Sequence, residues 1–233
     1  MPFHHLLMAK YCEGILQRCN VSAYFITSCG TERGKTHVAE ALIKDWLLEG
    51  LSVDVLKPIV SGFEINTLGE SDTYRLLCAI GEKVCQESIE QISPWRYAAP
   101  LSPDIAAGME GRSVPVDEVI SYCRTKIEQS TADMFLIEGI GGVMVPLDRN
   151  RTVRDLMAGV GVSAILVVGS YLGSLSHALT AFEALKIRNI AVDRIVVNET
   201  RHTNISVNET KAVLSRFVSN VPITTMSFNS SVR

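Results

Sequence analysis

The residues best suited to chemistry lie in a short glycine-containing segment that also carries a lysine and two threonines. It reads Ser28-Cys29-Gly30-Thr31-Glu32-Arg33-Gly34-Lys35-Thr36 and separates an apolar run from a helical pattern. At such a place, backbone amides and the start of a helix together stabilise phosphate oxygens. Gly34 permits close phosphate approach, the Lys35 ammonium offsets β- and γ-phosphate charge, and the Thr36 hydroxyl is a ligand for Mg²⁺. The segment therefore predicts a site for a nucleoside triphosphate.

This phosphate loop (residues 28–36) departs from the strict motif at one position. The motif has Gly five residues before Gly34, where this chain has Cys29. The alternative interpretation is an ordinary strand-to-helix turn with a lysine at the helix start. Arg33 either adds a second cation near the phosphates or points into solvent. The Gly-Lys-Thr ending favours phosphate binding over the plain turn.

Two carboxylates are candidates for the metal that accompanies a bound triphosphate. Glu138 follows an apolar strand pattern and precedes Gly139-Ile140-Gly141-Gly142, a turn whose backbone can approach a ligand closely. Asp72 stands at the start of a predicted helix. Mg²⁺ prefers hard oxygen ligands, so both fit. The alternatives are a solvated glutamate beside a glycine turn and an aspartate that caps helix amides.

A second lysine lies in Leu56-Lys57-Pro58-Ile59-Val60-Ser61-Gly62. We expect Lys57 to end the second strand and to project its ammonium toward the ligand edge of the sheet. The alternative is a surface lysine whose stem covers apolar neighbours. The adjacent Pro58 and the Ser61-Gly62 turn favour a functional role.

Apolar runs and helical periods alternate along the chain and place these groups. Strands are predicted over 23–27, 52–59, 134–137, 163–169, 194–198 and 223–228, and helices from about 35 to 47 and over 71–80, 115–129, 174–188 and 206–218. Ser102-Pro103-Asp104 resembles a helix entrance. This order predicts an α/β fold of the P-loop NTPase type, with a mainly parallel sheet, helices on both faces, and ligands at the carboxyl ends of the strands.

Composition narrows the possible functions. The 233 residues carry 22 Lys and Arg against 25 Asp and Glu, and this net charge of −3 argues against generic nucleic-acid binding. Hydrophobic residues make up 47 %, enough for a core, yet no apolar run reaches the roughly 20 residues that span a bilayer. Six cysteines without C-x-x-C spacing and the lack of a leader pattern predict a cytoplasmic protein. We expect one domain over 21–233, preceded by an extension (1–20) of uncertain order.

Several segments in order resemble dethiobiotin synthetases. They are the phosphate loop, the 57–62 segment, Ser71-Asp72, Ala99-Pro100-Leu101-Ser102-Pro103, Glu138-Gly139-Ile140-Gly141-Gly142, Val168-Gly169-Ser170-Tyr171-Leu172-Gly173 and His177. The resemblance spans about residues 23–200. Because the segments match as an ordered set, they are more specific than the phosphate loop alone.

The resemblance implies a homodimeric, magnesium-dependent enzyme that uses ATP. It would close a cyclic urea from 7,8-diaminopelargonate and CO₂, through a carbamate and a carbamic-phosphoric anhydride, and release dethiobiotin, ADP and phosphate. Lys35 and Lys57 would be catalytic. The implied nucleotide contacts are Gly30, Thr31, Glu32, Arg33, Gly34, Lys35, Thr36, Glu138, Gly141, Gly142 and Asn198; the implied substrate contacts are Thr31, Lys57, Ser61, Leu172, Gly173 and Ser174; the implied metal ligands are Thr36, Asp72 and Glu138. Leu172, Gly173 and Ser174 would receive the substrate carboxylate from the neighbouring subunit.

Departures from the family pattern keep two alternatives open. Ser28 stands where the family often has Gly, Tyr171 and Ser176 replace polar residues near the tail-binding segment, and the usual C-terminal purine motif is missing. One alternative is a switch ATPase like ParA or MinD, controlled by nucleotide binding. The other is a nucleotide-binding protein without turnover. Neither Cys29 nor His177 has a sequence context that indicates catalysis.

Overall fold

The structure, a computed structural model, describes residues 21–200 and 205–227. Its strands are β1 (Ser22–Ser28), β2 (Val53–Leu56), β3 (Ile59–Ser61), β4 (Trp95–Tyr97), β5 (Met134–Glu138), β6 (Ser163–Gly169), β7 (Val192–Asn198) and β8 (Ile223–Met226). Its helices are α1 (Lys35–Leu48), α2 (Asp72–Ala79), α3 (Gln86–Ile92), α4 (Pro103–Met109), α5 (Val116–Gln129), α6 (Val153–Val160), α7 (Ser174–Ile187) and α8 (Val207–Leu214), with a 3₁₀ helix at Ile65–Glu70.

Six strands form the main sheet in the order β2-β5-β1-β6-β7-β8, and every neighbouring pair is parallel. In β6, Ala164 to Gly169 are six consecutive buried residues. A strand without an exposed face must be covered on both sides, so the predicted parallel α/β architecture is confirmed.

The position of β1 inside the sheet brings distant segments to the phosphate loop. β5 and β6 flank β1, and in this register Ile26 lies opposite Glu138. Past the strand ends, the Val143 N–H donates to the Ser28 carbonyl at 3.0 Å, and the Cys29 N–H donates to the Val167 carbonyl at 3.3 Å. The carboxyl ends of three parallel strands therefore converge on one loop.

The predicted single strand over 52–59 is wrong. β2 belongs to the main sheet and ends at Leu56, whereas β3 pairs with β4 in a second, two-stranded parallel sheet. The break falls at Lys57-Pro58, because proline has no N–H with which to continue a ladder. Instead, the Lys57 N–H donates to the Ile92 carbonyl at 2.9 Å, and the Pro58 carbonyl accepts from the Trp95 N–H at 3.1 Å.

The other predicted elements lie where the sequence pattern places them, with small shifts at their ends, but the pattern does not predict α3, β4 or α6. The helix predicted over 71–80 is α2, and the Ser71 hydroxyl caps it by accepting from the Tyr74 N–H. The helix entrance at Ser102 is confirmed, with Pro103 in the first turn of α4. The helix predicted over 206–218 ends at Leu214 and continues only as turns. The strand predicted to residue 228 ends at Met226, and residue 228 itself lies outside the described residues.

The expectations for the extension (1–20) also lie outside the described residues. Within the two described ranges, no helix is long and apolar enough to cross a membrane. Four cysteines are described, Cys29, Cys78, Cys85 and Cys123, and all are free thiols. One domain over 21–233 stays a prediction, as does a cytoplasmic location.

Candidate active site

A cavity of about 400 Å³ opens at the carboxyl ends of β1 and β5. From the predicted set, its lining contains Thr31, Glu32, Gly34, Lys35, Thr36, Lys57, Ser61, Asp72, Glu138 and Gly141. Seven predicted positions do not line it, namely Gly30, Arg33, Gly142, Leu172, Gly173, Ser174 and Asn198. Both lysines and all three predicted metal ligands therefore face one space.

Close backbone packing shapes the phosphate loop. Gly34 precedes α1 with φ 83°, a conformation that favours glycine. Gly142, from the turn after β5, lies so close that a Cβ there would be 3.0 Å from both the N and the Cα of Gly30. Gly30 and Gly142 let the two loops touch through their main chains. The amides at the start of α1 are of the kind that binds an anion.

Lys35 lies beneath the phosphate loop and is buried. Its ammonium donates to the Ser28 hydroxyl at 3.2 Å. Burial, with a smaller contribution from the Lys57 charge, lowers the pKa of Lys35 to about 8. Its positive charge is thus costly in the folded chain and would be relieved by an anion, as expected of a lysine that binds phosphate.

The Lys57 ammonium lies between two carboxylates, of which Glu138 is buried and Asp72 is 40 % exposed. Nζ lies 2.7 Å from Glu138 Oε1, 2.8 Å from Asp72 Oδ2 and 3.0 Å from the Gly139 carbonyl oxygen. An ammonium has three N–H donors, so these three acceptors use all of them. The Lys57 side chain is 3 % exposed, which contradicts a surface role for it.

Thr36, Asp72 and Glu138 form a compact set of oxygen ligands. The Thr36 hydroxyl lies 2.7 Å from Asp72 Oδ1 and 2.9 Å from Glu138 Oε1. Since a hydroxyl has one proton, it donates to one carboxylate at a time. Oε2 of Glu138 is buried and has no hydrogen-bond partner among the described residues. One hydroxyl, two carboxylates and an unpaired buried oxygen suit a hard cation such as Mg²⁺.

The ion pairs of Lys57 with Asp72 and Glu138 shift the pKa values of all three groups. Burial raises the pKa of Glu138, and the Lys57 ammonium opposes that rise. For Lys57, burial lowers the pKa, but Glu138 and Asp72 outweigh it and hold the pKa above its ordinary value. For Asp72, burial raises the pKa, but Lys57 and the Thr36 hydroxyl lower it to about 2. We therefore describe Lys57 and Asp72 as charged.

Arg33 neither faces the cavity nor points into solvent. Its guanidinium lies 4.2 Å from the ring centroid of Tyr171, at the end of β6, and its Nε is buried without a partner among the described residues. The Tyr171 hydroxyl is 2.8 Å from Nδ1 of His177 and 3.8 Å from the Cys29 sulfur. Arg33 thus packs against Tyr171, and Tyr171 in turn joins the phosphate loop to His177 in the first turn of α7.

The cavity is lined neither by Asn198 nor by the 172–174 segment. The Asn198 amide donates to the Arg33 carbonyl at 3.1 Å and so supports the loop backbone. Leu172 is 93 % exposed. Ser174 begins α7, and its hydroxyl is buried with no partner in the described part of the chain. A base contact by Asn198 and a tail contact by 172–174 stay predictions.

Sequence reasoning missed His37, Val60, Arg75 and Ile140, which also line the cavity. Nε2 of His37 is buried and unpaired within the described ranges, and Arg75 forms an ion pair with Glu40. A signal was present for two of them, since His37 follows the predicted metal ligand Thr36 and Arg75 lies one helical turn after Asp72. Neither belongs to a recognised motif, so spacing alone did not single them out.

Comparison with known proteins places the chain in a family. A family model described as an AAA domain matches residues 22–225. An ATP-dependent dethiobiotin synthetase BioD from Acidiphilium cryptum is 41 % identical over 203 residues, covering 87 % of this chain and 91 % of that protein. The chain belongs to the dethiobiotin synthetase family. A further dethiobiotin synthetase BioD, from Caulobacter vibrioides, is 44 % identical over 180 residues, covering 77 % of this chain and 81 % of the relative.

Solved structures support the fold assigned to this dethiobiotin synthetase family member. HypB, a hydrogenase maturation factor from Archaeoglobus fulgidus, superimposes with a TM-score of 0.53 at 15 % identity and covers 95 % of this chain and 89 % of its own. MinD from Pyrococcus horikoshii, a septum site-determining protein solved with Mg-ADP, gives 0.52 at 17 % identity, with 89 % and 81 % covered. At such identities the similarity concerns the P-loop fold alone, so the MinD match does not favour a switch function.

Proposed function

We propose that this protein is an ATP-dependent dethiobiotin synthetase that closes a cyclic urea from 7,8-diaminopelargonate and CO₂ and releases ADP and phosphate. The observation that carries the proposal is the single cavity lined by both lysines and both carboxylates. The reaction requires two anions, a carbamate and a triphosphate, to approach within bonding distance despite their repulsion. Two ammonium groups and a divalent cation in one space offset that repulsion.

The phosphate loop provides the nucleotide half of the site. Amides at the start of α1 and the Lys35 ammonium bind the triphosphate, with Gly30, Thr31, Glu32, Gly34, Gly141 and Gly142 shaping the loop and its surroundings. Arg33 supports the loop through Tyr171. Thr36, Asp72 and Glu138 would hold Mg²⁺, which supplies charge neutralisation at the β- and γ-phosphate oxygens when bound. In the described part of the chain, no group of three or more His, Cys, Asp and Glu side chains could hold a metal alone, so nucleotide oxygens complete the set.

The second half of the site holds the diamine. One amine adds to CO₂, and the resulting carbamate oxygen attacks the γ-phosphorus of ATP while the bond to the β-phosphate oxygen breaks. Lys57 orients the carbamate and offsets its developing charge, and the Thr31 and Ser61 hydroxyls add directional contacts. The second amine then attacks the carbamic-phosphoric anhydride and expels phosphate. Both amines belong to one molecule, so tethering favours ring closure.

We place the substrate tail against a second copy of the chain. Leu172, Gly173 and Ser174 lie outside the cavity, and the buried, unpaired Ser174 hydroxyl together with the amides at the start of α7 suits a carboxylate. In a homodimer these groups would face the partner's substrate. Sedimentation of the purified chain tests the dimer separately from the chemistry.

The decisive assay follows labelled bicarbonate. We expect the label to enter a cyclic urea only when both the diamine and ATP–Mg²⁺ are present, with one ADP released for each ring. Nucleotide turnover indifferent to the diamine would favour a switch ATPase, and nucleotide binding without turnover would favour a binding protein.

Variants of three lysines test which lysine serves nucleotide binding and which serves ring formation. We expect Lys57→Ala to reduce ring formation at least a hundredfold while ATP binding changes less, and Lys35→Ala to impair both. Lys44→Ala is the matched control, because Lys44 lies on α1 but is exposed, and it should behave as the unaltered protein. Normal ring formation by Lys57→Ala would remove the proposed role of Lys57.

A further inference from the structure

The Lys57 ammonium has no free donor. Its three N–H groups are used by Glu138 Oε1, Asp72 Oδ2 and the Gly139 carbonyl, at 2.7 to 3.0 Å. The side chain is 3 % exposed, so no solvent replaces these acceptors. A lysine in this state cannot donate to a substrate oxygen until at least one acceptor releases it.

The same carboxylates are the oxygen ligands predicted for the metal. The Thr36 hydroxyl lies within hydrogen-bond distance of both, so Lys57 and Thr36 contact the same two carboxylates. With Lys35 and Lys57 charged, the two ammoniums balance the two carboxylates without any metal. Addition of a divalent cation beside Lys57 would place like charges a few ångströms apart next to the buried Glu138, where repulsion is less screened than in bulk solvent.

We propose that Lys57 and the divalent cation compete for Asp72 and Glu138, so that the lysine is released toward the cavity only when the metal is bound. Lys57 serves as the internal counter-ion of the carboxylates in the metal-free protein. Once Lys57 is displaced, the two N–H groups that Asp72 and Glu138 accepted become available to a ligand in the cavity that both lysines line. Binding is reciprocal, so a lysine that weakens metal binding is itself displaced by the metal to the same extent.

This competition would make binding of the metal precede binding of the carbamate, a step of the inference that rests on the proposed function. The carbamate-binding donor would be withheld until the metal arrives with the nucleotide. A carbamate would then be oriented only beside a loaded triphosphate. The lysine would thereby couple two halves of the site that meet at Asp72 and Glu138.

The first test measures binding of Mn²⁺ alone to the full chain, without nucleotide, by electron paramagnetic resonance at one fixed pH. Lys57→Met removes the competing charge, so we expect Mn²⁺ to bind at least tenfold more tightly than to the unaltered protein. Lys57→Arg keeps the charge and should remain within about threefold of it. Equal or weaker binding by Lys57→Met overturns the competition.

A second test needs no variant and so remains decisive should Lys57→Met fail to fold. Lysines of the unaltered chain are acetylated briefly with ADP and EDTA or with ADP and Mn²⁺, and the modified sites are quantified by mass spectrometry. We expect labelling of Lys57 to rise at least fivefold with Mn²⁺, while the exposed Lys44 is unchanged. Unchanged or lower labelling of Lys57 would show that the metal leaves the lysine in place.

Neither test contains diamine or CO₂, so its outcome is independent of the ring-closure assay. Competition without ring formation would retain the exchange and reject the synthetase proposal. Ring formation without competition would do the reverse.

Discussion

Replacement of the phosphate-loop lysine by methionine should make the empty protein more stable. Lys35 is buried, and burial lowers its pKa from 10.5 to about 8. At roughly 1.4 kcal/mol per pKa unit, the charged lysine destabilises the folded chain by about 3 kcal/mol at pH 7. Its hydrogen bond to Ser28 returns about 1 kcal/mol. We therefore expect Lys35→Met to raise the free energy of unfolding by about 2 kcal/mol, because methionine fills the space without a charge.

The predicted stabilisation depends on pH, whereas a gain in stability from packing alone would not. The lowered pKa means that the destabilisation is fully present below about pH 8 and disappears as the pH rises toward 10.5, where the unfolded lysine also loses its proton. The stability gap between Lys35→Met and the unaltered chain should therefore close over that range. The exposed Lys44→Met should leave stability within about 0.5 kcal/mol at every pH.

Urea denaturation of the ligand-free proteins at pH 7 and pH 10 measures both effects. We expect ATP binding by Lys35→Met to be lost although the fold is more stable, because the ammonium that burial penalises is the group that the triphosphate requires. A variant less stable than the unaltered chain at pH 7, or a gap that does not narrow by pH 10, would refute the reasoning.

Three further outcomes are expected. Asn198→Ala removes the hydrogen bond to the Arg33 carbonyl, so binding of ATP and GTP should weaken equally, about tenfold in calorimetric titration; loss confined to ATP would instead indicate a base contact. Gly142→Ala places a Cβ 3.0 Å from the Gly30 backbone, so thermal denaturation should show a loss of about 1–3 kcal/mol and ATP should bind more weakly; an unchanged melting temperature would contradict this contact. Burial raises the pKa of Cys123 to about 12, so iodoacetamide at pH 8 should modify it only in urea, which peptide mapping can verify; labelling in the native protein would disprove its burial.

The predictable parts of the site are those encoded by short segments. Lys35 and Thr36 follow an apolar strand and begin a helix, and Glu138 ends an apolar strand before a glycine turn, so local pattern suffices to place them. Parallel strands then bring their carboxyl ends together without further information. The all-parallel main sheet could likewise be predicted from strands without an exposed face.

The rest depends on contacts between segments distant in the chain. The strand break at Lys57-Pro58 is decided by partners from Ile92 and Trp95, neither of which has a local signal. The three hydrogen bonds of the Lys57 ammonium likewise require acceptors from two distant segments, the start of α2 and the end of β5 with the turn that follows it. The packing of Arg33 on Tyr171 joins two loops that follow different strands. Residue type alone could not decide whether Arg33 contacts phosphate or points into solvent, and it predicted neither this contact nor its partner.

The transfer of the chain from one sheet to another at Lys57-Pro58 has a mechanical consequence. The backbone of Lys57 is bonded to the end of α3, next to the two-stranded sheet, while its side chain is bonded to groups at the end of the main sheet and the start of α2. A single residue therefore links the two-stranded sheet to the main sheet. If the Lys57 side chain loses its contacts with Asp72 and Glu138, the amides of β3 and β4 should exchange with deuterium faster. Hydrogen exchange in the two-stranded sheet would therefore report on the state of the two carboxylates.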